Sequence, residues 1–62
     1  MRQTVETILQ QIDALAAERQ RLRAHAAGPD VLERNRLRIA RAQWDLSHAL
    51  IERYLPAEQR AA

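Results

Sequence analysis

The second half of the chain, residues 30–55, carries two apolar stripes where an ordinary surface helix carries one. At about 100° per residue the stripes lie roughly 150° apart around one helix. Between them lies a polar wedge, which consists of Arg34, Arg38, Arg41, Asp45, His48 and Glu52. The first, the seam stripe, consists of Leu32, Ile39, Ala42, Leu46, Ala49 and Leu50. The second, the outer stripe, consists of Leu37, Ala40, Trp44, Ser47, Ile51 and Tyr54. A helix with two apolar faces requires two partners, and the chain itself supplies only one.

The first half of the chain supplies that partner. Its apolar positions recur at alternating spacings of three and four residues, which is a heptad seam interrupted once by an arginine. The members of this seam are Val5, Ile8, Ile12, Leu15, Arg19, Leu22 and Ala26. The sequence therefore predicts an all-α fold, an antiparallel hairpin of two long helices.

The expected boundaries are helix 1 at about 4–27, a turn at 28–29 and helix 2 at about 30–55. Thr4 is expected to cap helix 1, and Gly28 to take the left-handed conformation that ends it. Asp30 and Glu33 resemble a capping box at the start of helix 2. Helix 2 should end near residue 55, because the residue before a proline is disfavoured in the α region. Residues 56–62 are expected to form a flexible tail.

Folding the chain back at the turn brings the two seams together. The expected layers are Ala26 with Leu32, Leu22 with Asn35, Arg19 with Ile39, Leu15 with Ala42, Ile12 with Leu46, Ile8 with Ala49, and Val5 with Arg53. Asn35 is expected to fix the register through a polar contact. The stems of Arg19 and Arg53 should pack while their head groups reach the surface or a carboxylate, which for Arg53 is Glu6.

A chain of 62 residues with a single seam needs a further source of stability. It has no cysteine, so neither a disulfide nor a thiolate metal site can supply it. We therefore expect two copies to pair through the outer stripe into a homodimeric four-helix bundle, with a further protein partner as the alternative occupant. No membrane span or secretory signal is expected, and the cytoplasm is the expected location.

A non-enzymatic interaction module or small regulator is the function that this pattern favours. Ser47 and His48 are sequence neighbours, which point about 100° apart on a helix and do not form a catalytic dyad. No third group is positioned beside them, and no cofactor is expected.

A nucleic-acid-binding accessory protein is the second hypothesis. Residues 19–41 contain seven arginines and only two acidic residues, which makes the turn end electropositive. The residues expected to contact a nucleic acid or another anion are Arg21, Arg23, Arg34, Arg36 and Arg38. However, Trp44 and Tyr54, the only aromatic residues, lie on the outer stripe and away from the turn, where they could not stack on bases bound at that end.

A metal or small-anion binder is the third hypothesis. Asp45, His48 and Glu52 share one helix face, with the carboxylate-x-x-His spacing that di-iron bundles use. These residues lie in the polar wedge, where simple pairing of Arg41 with Asp45 and of His48 with Glu52 is the more ordinary interpretation.

Several short motifs point to a family. They are Ile8-Leu9-Gln10, Ile12, Ala14-Leu15, Glu18, Leu22-Arg23, Arg36-Leu37 and Trp44-Asp45-Leu46. Together they resemble the small actinobacterial helical-hairpin proteins of domain-of-unknown-function family 2630, most specifically through the last motif. The resemblance covers nearly the whole chain and implies a short helical hairpin with no assigned chemistry. After Leu46 the family usually becomes Arg-rich, whereas this chain has a mixed segment. A weaker similarity of residues 12–19 is to the N-terminal helix of chorismate mutase, a fold that needs a third helix.

Overall fold

The structure, a computed structural model, describes residues 3–55, which form two α-helices joined by a short connection. Helix α1 spans Val5–Ala24 and helix α2 spans Pro29–Tyr54. The two helices pack against each other along their length, and residues 3–55 contain no strand. The all-helical hairpin predicted from the heptad seam is therefore confirmed.

Thr4 begins α1 as its N-cap, as the sequence predicts. Its hydroxyl oxygen accepts a hydrogen bond from the Thr7 backbone N–H at 3.1 Å and so satisfies one of the free donors of the first turn. Glu6 lies in this first turn, and Arg21 and Arg23 lie in the last. Both placements oppose the partial charges of the helix dipole and stabilise α1.

The end of α1 differs from the prediction. The helix ends at Ala24, and the residue with positive φ is Ala26, at 54°, not Gly28. The Ala27 N–H donates to the Leu22 carbonyl at 2.9 Å, and the Ala26 N–H donates to the carbonyl three residues before it at 3.1 Å. These are the paired hydrogen bonds of a Schellman motif, which satisfies the last carbonyls of α1. The motif therefore ends the helix before the chain reaches its glycine.

The start of α2 also differs from the prediction. Gly28 is the N-cap, with an extended backbone at φ −69° and ψ 162°, and Pro29 occupies the first helical position. Proline suits that position because its missing N–H would have no partner there and its φ is already helical. Asp30 consequently lies inside the first turn and not at the cap, and Glu33 accepts hydrogen bonds from Arg36 instead of completing a capping box.

Helix α2 ends at Tyr54, and Leu55 has an extended backbone at φ −101° and ψ 135°, as expected of a residue that precedes a proline. The Leu55 N–H still donates to the Ile51 carbonyl at 3.0 Å. The flexible tail expected at residues 56–62 lies outside the described residues.

The interface between the helices is small. Within residues 3–55, the buried apolar side chains are Val5, Ile8 and Ala42, of which Ile8 is only 1% exposed. The rest of the two seams is half-buried, except Ala26 at the turn and Leu50 of α2, which are exposed. The seam stripe thus faces α1 as expected, but the hairpin encloses little apolar volume.

A polar layer lies in the interface near the turn. Asn35 is 2% exposed; its Nδ2 donates to the Leu15 carbonyl at 3.1 Å, and its Oδ1 accepts from Arg19 Nη1 at 3.3 Å. The expected layer of Leu22 with Asn35 stays a prediction. The polar contact expected of Asn35 is nevertheless present.

Candidate interaction surface

The outer stripe of α2 is exposed along its whole length. Its large side chains retain much of their accessible surface: 52% for Leu37, 55% for Trp44, 42% for Ile51 and 69% for Tyr54. Ala40 and Ser47 between them are exposed as well. This stripe lies on α2 away from the seam, so α1 cannot cover it. The hairpin therefore presents more large apolar side chains on this stripe than it buries in its interior.

Two side chains of the polar wedge, those of His48 and Arg41, lie against Trp44. The His48 ring lies 3.9 Å from the indole centroid at an interplanar angle of 42°, and Arg41 Cζ lies 5.1 Å from it. The sequence interpretation assigned Arg41 and His48 to surface ion pairs and missed this cluster. The signal was present in the spacing, because residues three and four apart on a helix are neighbours.

Ser47 is the one polar member of the outer stripe, and its hydroxyl is already satisfied. Ser47 Oγ donates to the Gln43 backbone carbonyl at 3.2 Å. A hydroxyl bonded within its own helix can be covered by apolar groups without the cost of an unpaired buried donor. Ser47 is therefore compatible with an apolar interface.

An open groove of about 680 Å³ runs between the helices beside the outer stripe. Leu15, Leu37 and Ala42 are among the apolar residues that line it. Its charged lining residues are Glu18, Arg21, Arg38, Arg41 and Asp45. Two ion pairs lie along the groove, Arg38 with Glu18 at 3.7 Å and Arg41 with Asp45 at 3.4 Å. Pairs as exposed as these contribute little to stability.

The five arginines expected to bind anions at the turn end divide into two groups. Arg36 forms a bidentate pair with Glu33 at 2.8 and 2.7 Å, which lowers the pKa of that carboxyl, and Arg38 pairs with Glu18. The other three are exposed and have no acidic partner among residues 3–55; they are Arg21, Arg23 and Arg34. A nearby arginine of the seam, Arg19, faces inward and donates to the Leu32 carbonyl at 3.3 Å.

The three residues considered as metal ligands are not gathered into a site. Asp45 is paired with Arg41, and the His48 ring packs against Trp44 at a tilt. In the described part of the chain, no group of three or more His, Cys, Asp or Glu side chains, with or without Glu52, is arranged to hold a metal ion. The pairing of Arg41 with Asp45 expected from the helix spacing is confirmed.

At the end of the hairpin away from the turn, Arg53 and Glu6 connect the two helices. Arg53 Nη1 and Nη2 donate to the two carboxylate oxygens of Glu6 at 2.9 and 3.1 Å, which confirms the partner expected from the sequence. The hydrogen bonds from Arg53 lower the pKa of Glu6, and those bonds raise the pKa of Arg53. This bidentate pair fixes the relative position of the two helices at the open end.

Neither the protein-family models, nor the curated proteins, nor the solved structures contain a match to the chain. The resemblance to domain-of-unknown-function family 2630 stays a prediction. Within residues 3–55, neither helix is long and apolar enough to span a membrane.

Proposed function

We propose that this protein is a non-enzymatic interaction module that works as a homodimer, in which two hairpins pair through the outer stripes of α2 into a four-helix bundle. The observation that carries the proposal is the exposure of Leu37, Trp44, Ile51 and Tyr54 on one face of a hairpin with few buried residues. Soluble monomers seldom expose an apolar patch of this kind, and such a patch marks an interaction site. Covering it would supply the buried apolar area that a hairpin of this size lacks.

The biochemical role in this proposal is that of a small regulator or adaptor. The paired α2 helices hold the assembly together, and the outward faces of α1 and the part of the groove away from Leu37 remain available to a further protein. The groove is lined by charges of both signs: the acidic residues are Glu18 and Asp45, and the basic residues are Arg21, Arg38 and Arg41. Surfaces with fixed charges of both signs give specificity to protein contacts.

The direct test is the substitution Trp44→Glu, which puts a charge at the centre of the outer stripe. We expect the parent chain to sediment as a dimer and the variant as a monomer, with far-UV circular dichroism reporting whether the variant is still helical. The matched control is Gln10→Glu, which adds the same charge at an exposed position of α1. The control should remain dimeric.

The single tryptophan gives a second readout without any substitution. If the parent dimer dissociates on dilution, the indole of Trp44 becomes more exposed to water and its emission should shift to longer wavelength. A parent chain that is folded and monomeric at every concentration, with an emission that never changes, contradicts the proposal.

Binding of nucleic acid is the second candidate function, and one observation favours it. Arg21, Arg23 and Arg34 project at the turn end and have no acidic partner among the described residues. Unpaired arginines are the groups that neutralise phosphates and release counterions. A titration of a fluorescent single-stranded oligonucleotide at low salt tests this role. Loss of affinity as salt rises supports it, and absence of binding at low salt excludes it.

A further inference from the structure

We infer that the two α2 helices of the dimer run antiparallel, with three repeated layers in which Leu37 lies against Tyr54, Ala40 against Ile51 and Trp44 against Ser47. This inference rests on the proposed homodimer and adds its orientation and register. The second copy of this chain is the occupant to which the outer stripe is assigned.

The first argument is the spacing of the stripe. Its six members follow at intervals of three and four residues, which are the a and d positions of a heptad, and the structure keeps all of them on one unbroken helix. In an antiparallel pair, a positions pack against d positions of the other helix. Pairing the first member with the last then uses all six residues in matched layers, with none left over at either end.

The second argument is side-chain size. In the antiparallel register, the indole of Trp44 lies against Ser47, and Ile51 lies against Ala40, so each of these layers joins a large side chain with a small one. In a parallel pair, each residue meets its own copy, so two indoles crowd together and the Ala40 and Ser47 layers leave cavities. Protein interiors pack at crystal-like density, and both overpacking and cavities destabilise them.

The third argument is charge. The first half of α2, residues 30–41, carries four arginines and two acidic residues, and the second half, residues 42–54, carries two acidic residues and one arginine. An antiparallel pair places the electropositive half of each helix beside the mildly negative half of the other, and it also aligns the two helix dipoles favourably. A parallel pair places the two arginine-rich halves side by side.

The test uses cysteine cross-linking, which is clean because the chain has no cysteine of its own. Two variants, Ala40→Cys and Ile51→Cys, are oxidised separately and as a mixture, and the products are identified by mass. We expect the mixture to give a linked dimer with one copy of each variant, and each variant alone to remain unlinked. In the antiparallel register each introduced cysteine lies about 16 Å along the axis from its own copy, by a rise of ~1.5 Å per residue, which is too far for a disulfide.

A second pair, Leu37→Cys with Tyr54→Cys, repeats the test at the ends of the stripe in case the first pair weakens association, and sedimentation of the reduced variants reports whether they are dimers. Links between identical residues in a dimeric protein overturn the antiparallel orientation while leaving the homodimer in place. A dimer in which neither mixed pair forms a link overturns the register. A parent chain that sediments as a monomer overturns the homodimer itself and this inference with it.

Discussion

The left-handed conformation of Ala26 predicts a stabilising substitution, Ala26→Gly. Ala26 has a φ of 54° and is exposed, so its methyl group contributes little to packing. An L-residue in the left-handed region costs roughly 1–2 kcal/mol, whereas the extra freedom of glycine in the unfolded chain costs roughly 0.4–1 kcal/mol. The difference between these two effects predicts that the substitution raises the free energy of unfolding by about 1 kcal/mol.

Urea unfolding followed by far-UV circular dichroism measures this change, with all variants at one protein concentration because association contributes to the stability of an oligomer. The control is Ala27→Gly, at the neighbouring residue, which has no positive φ. The control should lower the free energy of unfolding by roughly 0.5–1 kcal/mol, the usual cost of glycine. If both substitutions destabilise the protein equally, the Schellman motif does not end α1 at this position and the reasoning is refuted.

Two further predictions concern the packing and the open end of the hairpin. Ile8→Ala, at the most buried side chain, should lower the free energy of unfolding by about 2–4 kcal/mol in the same assay, and a loss below about 1 kcal/mol would contradict its place in the core. Arg53 lowers the pKa of Glu6 in the folded state. The ion pair therefore stabilises the protein fully above the ordinary glutamate pKa of about 4.3, and this stabilisation is lost as the pH falls through the lowered pKa of Glu6. The stability difference between the parent and Glu6→Gln, measured from pH 7 downward, should therefore shrink below about pH 4.3, and a constant difference would contradict it.

The helices and the side of α2 that faces α1 could be predicted from the sequence, whereas the connection between the helices could not. The heptad spacing directly encodes which side chains share a face, and Ile8 and Ala42 are buried accordingly. The chain reversal depends on competing local motifs. Gly28 was the obvious residue for positive φ, but Pro29 favours an extended residue before it, and this leaves Ala26 as the end of the cap.

The hydrogen-bond partners of Asn35 could not be predicted from the apolar pattern either. The heptad seam predicts that Asn35 faces α1, but it does not specify which groups of α1 Asn35 contacts. Asn35 donates to the Leu15 carbonyl and accepts from Arg19, and a pattern of side chains does not reveal a hydrogen bond to a backbone carbonyl. At the open end, by contrast, the opposite charges of Glu6 and Arg53 could be paired from the sequence.

The candidate interaction surface was predictable as a stripe of residues, but the environment of its central residue was not. Sorting residues into polar and apolar classes separates Trp44 from Arg41 and His48, although all three side chains lie together in the structure. Aromatic rings attract cationic and imidazole groups, so a residue assigned to the polar wedge can cover part of an apolar one. The same contacts leave the indole more than half exposed, and they do not replace a partner.

The distribution of burial in the hairpin explains why folding and association should form one equilibrium. Val5 and Ile8 are buried toward the open end and Ala42 near the middle, whereas the buried residue nearer the turn is the polar Asn35, which is hydrogen-bonded to Arg19. A hydrogen-bonded polar layer specifies a register but contributes less net free energy than an apolar layer of the same size. The largest source of apolar burial left to residues 3–55 is therefore the outer stripe, which α1 does not cover. For this reason, a substitution such as Trp44→Glu should reduce both the helical content and the mass of the assembly in solution. The two losses should follow the same dependence on protein concentration.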